Sequence, residues 1–205
     1  EARLGRAASV HRAELERAQT RLAALAPVRD ARGREFTFEP AGASAPIALS
    51  LDGTDVYAGD DVLLHDVHLT LRRGERVWLR GDNSAGKTSL LRALLAAGNG
   101  RRTLYVPQEL DVASTRAAQR ALQTLAPDER GRAYQRLAAL GCDPSAVVTS
   151  ASPSAGEARK LAIASGLARP VELIVLDEPT NHLDLPSIER LERALATFPG
   201  ALLVV

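Results

Sequence analysis

The sequence predicts an α/β protein in which a mostly parallel sheet is covered by helices on both faces, with a small antiparallel β layer beside it. Three observations predict this. From Lys87 onward, helical stretches alternate with short apolar strands, the alternation that builds parallel sheets. Between Ile47 and Gly81 the chain reads as strand after strand, the pattern of an antiparallel layer. A glycine-bearing loop, "GDNSAGKTS", joins the last of these strands to the first helix of the alternating part.

In chain order, residues 1 to about 26 place Leu15, Ala18, Leu22 and Leu25 at a/d spacing. Leu4 and Ala8 extend the stripe, and Pro27 ends this amphipathic helix. Residues 28–46 form a linker with one short alternating strand, Glu35 to Phe38. "IALSLDG" and "VHLTLRRGERVWLRG" alternate apolar and polar residues, and Gly74 turns the second pair. Lys87 to Ala97 reads as a helix and "TLYV" as a strand. Residues 115 to 140 are mostly helical with a break near Pro127. Glu157 to Ala168 is a helix, "ELIVL" a buried strand, Ser187 to Ala196 a helix and "ALLVV" a second buried strand. No internal repeat is visible.

Composition excludes several classes. The apolar share of 45% and charged share of 25% are those of a globular protein. No apolar run approaches the roughly 20 residues of a membrane span. The charged N-terminal stretch does not have the pattern of a secretory signal, and none is expected. The lone Cys142 excludes an intrachain disulfide, so a reducing, cytoplasmic setting is expected. The sequence neither begins with Met nor contains one, and it is expected to be a piece of a longer chain.

The glycine loop answers to chemistry. Gly81, Gly86, Lys87 and Thr88 fill the spacing G-x-x-x-x-G-K-[ST] between a strand and a helix. Its glycines let consecutive N–H groups converge on one anion, and the helix start adds its positive end. Lys87 would reach the outer phosphates of a nucleotide, and the Thr88 hydroxyl would sit on Mg²⁺. Such a cation needs a carboxylate. "ELIVLDEP" supplies Asp177 and Glu178 at the carboxyl end of a buried strand, where α/β ligands sit. Asp177 would hold Mg²⁺ directly or through water, and Glu178 could polarise an attacking water as general base. Upstream, Ser154 and Glu157 form an S-x-x-E capping box. With the flexible Gly156, that helix start could also offer a hydroxyl and N–H groups to a phosphate carried by a partner domain.

The phosphate loop, then "YVPQE", "SAGE", "LIVLDEP" and "TNHLD", in that order, resembles an ATP-binding cassette (ABC) domain over roughly Ile47 to Val205. The resemblance implies a P-loop NTPase fold with a RecA-like parallel sheet core, an antiparallel β subdomain and a helical subdomain, here preceded by a linker helix. It implies binding and hydrolysis of ATP with Mg²⁺. Gly81, Asp82, Asn83, Ser84, Ala85, Gly86, Lys87, Thr88 and Ser89 match the Walker A loop. Gln108 matches the Q-loop glutamine, which touches Mg²⁺ and senses the γ-phosphate. Ser154, Ala155, Gly156 and Glu157 match the signature loop. Asp177 and Glu178 match Walker B and the catalytic glutamate, and Asp184 the D-loop aspartate. Tyr57 is the aromatic that would stack on adenine. In the family, two cassettes sandwich two ATPs, each between one domain's Walker A loop and the other's signature loop, so a second cassette is an implied partner.

"DEPTNHLD" together with "SAGE" is similar to the ABC-F group, soluble twin-cassette proteins that bind the ribosome, some of which protect it from antibiotics. Their cassettes are joined by a long helical linker. Residues 1 to 34 carry eight Arg against four acids, a balance that suits RNA phosphate. Residues 1–45 then read as the linker's end with its short strand, and 46–205 as most of a second cassette whose helical subdomain covers about 109–165. No DNA partner is expected. The alternative is the ATP-binding subunit of an ABC membrane transporter, which shares every motif through Asp184 and would dock a membrane partner beside Gln108.

The sequence departs from the family pattern at Pro153, where Leu is usual, and at Ala155, where Gly is usual; a methyl there could crowd a phosphate or forbid a positive φ. The family's switch histidine lies just beyond "ALLVV", so the sequence by itself is expected to hydrolyse ATP weakly or not at all. His182 is not that histidine. His11, His65 and His68 read as surface or linker residues, and Trp78 as core packing.

Overall fold

A computed structural model describes residues 36–39, 46–82, 85–98 and 102–205. The expected N-terminal helix, Glu35, Asn83 and Ser84 lie outside the described residues. Strands β1 (Ile47–Ala58) and β2 (Asp61–Arg72) form an antiparallel hairpin that turns at Gly59 and Asp60. β1 runs on past Gly53, where the sequence alone would end it. The ladder absorbs that residue as a break in register between Leu51 and Thr54.

The second sheet has four parallel strands in the order β3 (Arg76–Trp78), β6 (Ala201–Val204), β5 (Leu173–Leu176) and β4 (Thr103–Val106). Every residue of β5 is buried, because this central strand is covered on both faces. Its side chains alternate accordingly. Leu173 and Val175 pack with Leu49, Leu51 and Val56 of β1 and with Leu90, Leu91 and Leu94 of helix α1 (Lys87–Ala97). Ile174 and Leu176 face the opposite way, onto α5 (Ala155–Gly166) and α6 (Leu185–Ala196) through Ile163, Leu191 and Ala194. Full burial of one such Leu or Ile side chain contributes about 1.5–3 kcal/mol.

Between β4 and β5 lie α2 (Val112–Thr124), α3 (Pro127–Ala139), the short α4 (Pro144–Thr149) and α5. The break between α2 and α3 falls where Pro127 predicts it. The helix α4 carries a start signal in "DP": the Asp143 carboxylate accepts from the Ser145 and Ala146 N–H groups. Leu122, Leu137, Val147 and Leu161 make a separate small core among these helices. α5 serves both cores, through Leu161 on one side and Ile163 on the other.

Three expectations are corrected. Phe36 to Glu39 form no strand: Phe36 is buried, and Phe38 packs between it and Phe198, with ring centroids 5.3 and 5.0 Å away. The alternation was real, but its backbone found a side chain in place of a strand. The Thr37 carbonyl accepts from Arg136 Nε and Nη2 at 3.1 and 2.8 Å. Gly74 does not fold β2 against the next strand. Its turn hands the chain from one sheet to the other, since β2 pairs with β1 and β3 with β6. Trp78 is 58% exposed, with the Arg80 guanidinium 3.6 Å from its ring centroid. β3 is an edge strand among the described residues, so the face Trp78 presents has no core to enter. His65 and His68, as expected, lie on the exposed surface of β2.

Arg136 is only 3% exposed and also donates Nη1 to the Leu167 carbonyl at 2.8 Å. Arg136→Met should therefore leave two carbonyls without these charge-assisted partners and cost about 2–3 kcal/mol. Denaturant unfolding of wild type and variant checks this; an unchanged midpoint would contradict it.

Candidate functional site

β3, β4 and β5 all deliver their carboxyl ends to one edge of the sheet, and the candidate residues follow directly on them. After β3 the chain runs through Gly81 and Asp82 into α1. Gly86 is the N-cap of α1 at φ 85°, a left-handed conformation that glycine adopts without strain. Among the described residues no side chain caps this helix, so its first N–H groups have no side-chain acceptor there. The Lys87 ammonium folds back across the loop and donates to the carbonyls of Gly81 and Asp82, both at 2.8 Å. A Cβ on Gly86 would lie 3.2 Å from Leu63 Cδ1, so β2 leans over the loop at that point.

At the end of β5, Asp177 is 5% exposed, and its N–H donates to the Val106 carbonyl at 2.9 Å. Burial, and then the neighbouring Glu178 carboxylate, push the Asp177 carboxyl above its ordinary range; Arg159 and Lys87 act against them. Glu178 sits at φ 44°, in the left-handed region that a residue with a long side chain rarely adopts. Its Oε2 accepts from Gln108 Nε2 at 3.0 Å and from Asn181 Nδ2 at 2.6 Å. Gly86, Lys87, Thr88, Ser89, Gln108, Asp177 and Glu178 thus line one cavity of about 520 Å³, together with Leu63 and Val205.

The other candidates lie outside that lining. Tyr57, across from Val62 near the hairpin end, is 55% exposed. Ser154 caps α5: its Oγ accepts from the Glu157 N–H at 3.3 Å, and the Glu157 carboxylate accepts from the Ser154 N–H and Oγ–H, each at 2.8 Å. Those bonds hold the Glu157 carboxyl below its usual range. Ala155 has no positive φ, so the feared backbone conflict at this position does not arise. A Cβ at Gly156 would stand 2.6 Å from the His182 carbonyl oxygen, which leaves room for glycine alone where α5 meets the turn after β5. Asp184 caps α6, its carboxylate accepting from the Ser187 N–H at 2.8 Å, and those bonds lower its pKa.

Sequence reasoning missed three participants. Leu63 contributes an apolar wall, and Asn181 holds the Glu178 carboxylate. Arg159, 2% exposed, donates Nη1 to the Asp177 and Glu178 carbonyls at 3.3 and 3.2 Å and Nη2 to the Gln108 carbonyl. Asn181 stood in the quoted "TNHLD"; the position of Arg159, two residues after Glu157 of the S-x-x-E box, carried no signal of its burial.

The donor set fits a phosphate with a hard cation. It combines one ammonium, the positive end of a helix, a hydroxyl at Thr88, an amide oxygen at Gln108 and a buried carboxylate at Asp177. A cation such as Mg²⁺ takes one or two carboxylates and fills its remaining positions from water and substrate phosphates.

The family model described as ABC transporter matches residues 64–181, more than half of the chain. The aliphatic sulfonates import ATP-binding protein SsuB 1 of Nocardia farcinica is 39% identical over 150 residues, covering 68% of this chain and 61% of that protein. The ribosome protection protein VmlR of Bacillus subtilis is 29% identical over 158 residues, covering 72% of this chain and 29% of that protein. The chain thus spans less than two thirds of either relative. A solved ATP-binding subunit of an ABC transporter superposes with a TM-score of 0.58 at 23% identity, covering 77% of this chain and 78% of that one, a likeness of fold. The fold is that of a P-loop NTPase, with its parallel core, antiparallel β layer and helical region. Among the described residues no helix is long and apolar enough to cross a membrane. Match and fold agree with the geometry at the sheet edge, and the chain belongs to the ABC transporter family of ATP-binding domains.

Proposed function

We propose that the chain is the ATP-binding and hydrolysing part of an ABC-F type twin-cassette ATPase that acts on the ribosome. The observation that carries the ATPase half is the single cavity lined by Lys87, Thr88, Gln108, Asp177 and Glu178. Residues Gly81 to Ser89 wrap the phosphates, with Lys87 exchanging its two loop carbonyls for phosphate oxygens. Tyr57 stacks on the adenine. Thr88, Gln108 and Asp177 hold Mg²⁺, which when bound neutralises phosphate charge. Glu178 accepts the proton of the attacking water, oriented by Gln108 and Asn181. Ser154, Ala155, Gly156 and Glu157 meet the nucleotide of a second cassette, and Asp184 lies at that junction. In this reading residues 1–45 end an inter-cassette linker and 46–205 form the cassette, with 109–165 as its helical subdomain.

The ribosomal half is supported by "TNHLD" with "SAGE", by the Arg-rich N-terminal residues and by similarity to VmlR. Similarity to SsuB 1 favours a second reading, the ATP-binding subunit of a membrane importer. Sedimentation of the full-length protein separates them. With Glu178→Gln and ATP, the ABC-F reading expects it in the ribosome pellet, less so as salt rises. Recovery with membranes and an integral partner, and none with ribosomes, would replace it by the transporter reading.

A further inference from the structure

The guanidinium of Arg159 is almost wholly buried, yet it pairs with no carboxylate among the described residues. Its bonds among the described residues go to main-chain carbonyls, those of Gln108, Asp177 and Glu178. These residues follow two neighbouring strands, β4 and β5, and the side chains of Gln108 and Glu178 meet at 3.0 Å. We propose that Arg159 is a positioning residue that clamps the Gln108 and Glu178 main chains together and ties the start of α5 to the acidic end of β5. The proposal rests on the ATPase reading above for its consequence in turnover, and on geometry alone for the clamp.

Two features favour a positioning role over plain packing. First, Glu178 occupies a left-handed backbone conformation, which persists in a side-chain-bearing residue only where the surroundings over-determine it. Arg159 bonds the carbonyl of that same residue, and Asn181 bonds its carboxylate. Second, α5 touches the segment after β5 at both ends. Arg159 holds residues 177 and 178, while Gly156 abuts the His182 carbonyl. A displacement of the α5 start is thereby transmitted to the Glu178 main chain. The planar fork of arginine can span three carbonyls; a lysine at this depth is a single point donor and cannot.

The test uses the full-length protein as wild type, Arg159→Lys, Arg159→Met and Glu178→Gln. Three quantities are measured: hydrogen exchange of the nucleotide-free protein, Mg-ATP affinity by titration calorimetry, and steady-state kcat and KM. In Arg159→Met, exchange should rise at least about tenfold in peptides covering 107–109 and 177–182 but not in β5 or the body of α5. Affinity for Mg-ATP and KM should stay within about twofold, and kcat should fall roughly 10–100-fold, the scale of a misplaced catalytic group. Arg159→Lys should fall between the two in exchange and in kcat. Wild-type exchange and kcat in both variants would overturn the proposal. So would exchange that rises throughout the domain while affinity, kcat and melting temperature fall together, since that is loss of packing. Should Arg159→Met not fold, Arg159→Lys decides on the same readings. If wild type and Glu178→Gln hydrolyse ATP equally, the ATPase reading fails, and exchange in the nucleotide-free protein alone then decides the clamp.

Discussion

Glu178→Gln in the full-length protein is expected to keep its Mg-ATP affinity within about threefold while losing turnover by roughly 10²–10⁴-fold, the span of a lost general base. The substitution changes little else. Glutamine has the same length, and its amide oxygen can accept from Gln108 Nε2 and Asn181 Nδ2 as the carboxylate does, at 3.0 and 2.6 Å. The main chain stays anchored, because the Glu178 N–H donates to the Val205 carbonyl and its own carbonyl accepts from Arg159 and the Asn181 N–H. What disappears is the capacity to take a proton from water. The variant should accumulate with ATP bound and its two cassettes closed, which phosphate release and retained nucleotide report together. Ordinary steady-state hydrolysis by the purified variant would remove Glu178 from the role of base.

Much of this site was legible because the loop's chemistry and its backbone needs coincide in sequence. The glycine at position 86 is called for by the spacing, and it is the one that takes φ 85° at the helix start. β5 was legible because a strand buried on both faces must be apolar throughout. The failures share a cause: local pattern does not name its tertiary partner. Phe36 and Phe38 alternate as in a strand, but the Thr37 carbonyl between them bonds a side chain from α3. Gly74 does turn the chain, yet the strand after it joins the other sheet. Trp78 has the size of a core residue on a strand whose outer side lacks a neighbour among the described residues. Arg159 looks like one more arginine in an Arg-rich sequence, and only the approach of β4 and β5 to α5 makes it a buried three-carbonyl donor.

Lys87→Ala is expected to weaken Mg-ATP binding roughly 10–150-fold, corresponding to about 1.5–3 kcal/mol for hydrogen bonds that carry a full charge. The ammonium lies across the loop, held by the Gly81 and Asp82 carbonyls, so in the proposed reading it meets an incoming phosphate by exchanging those two partners. Alanine removes that charge and keeps the helix, since it is the best helix former at the first position of α1. Neither the Gly86 turn nor the Leu90, Leu91 and Leu94 face depends on the lysine side chain. The variant should accordingly melt within a few degrees of wild type, and loss of affinity would then report on the site and not on the fold. Parallel calorimetric titration of wild type and Lys87→Ala with Mg-ATP therefore tests most directly whether the loop after β3 is the nucleotide site. A drop in affinity of at least tenfold, with the fold intact, is the predicted result; equal affinity in the two proteins would contradict it.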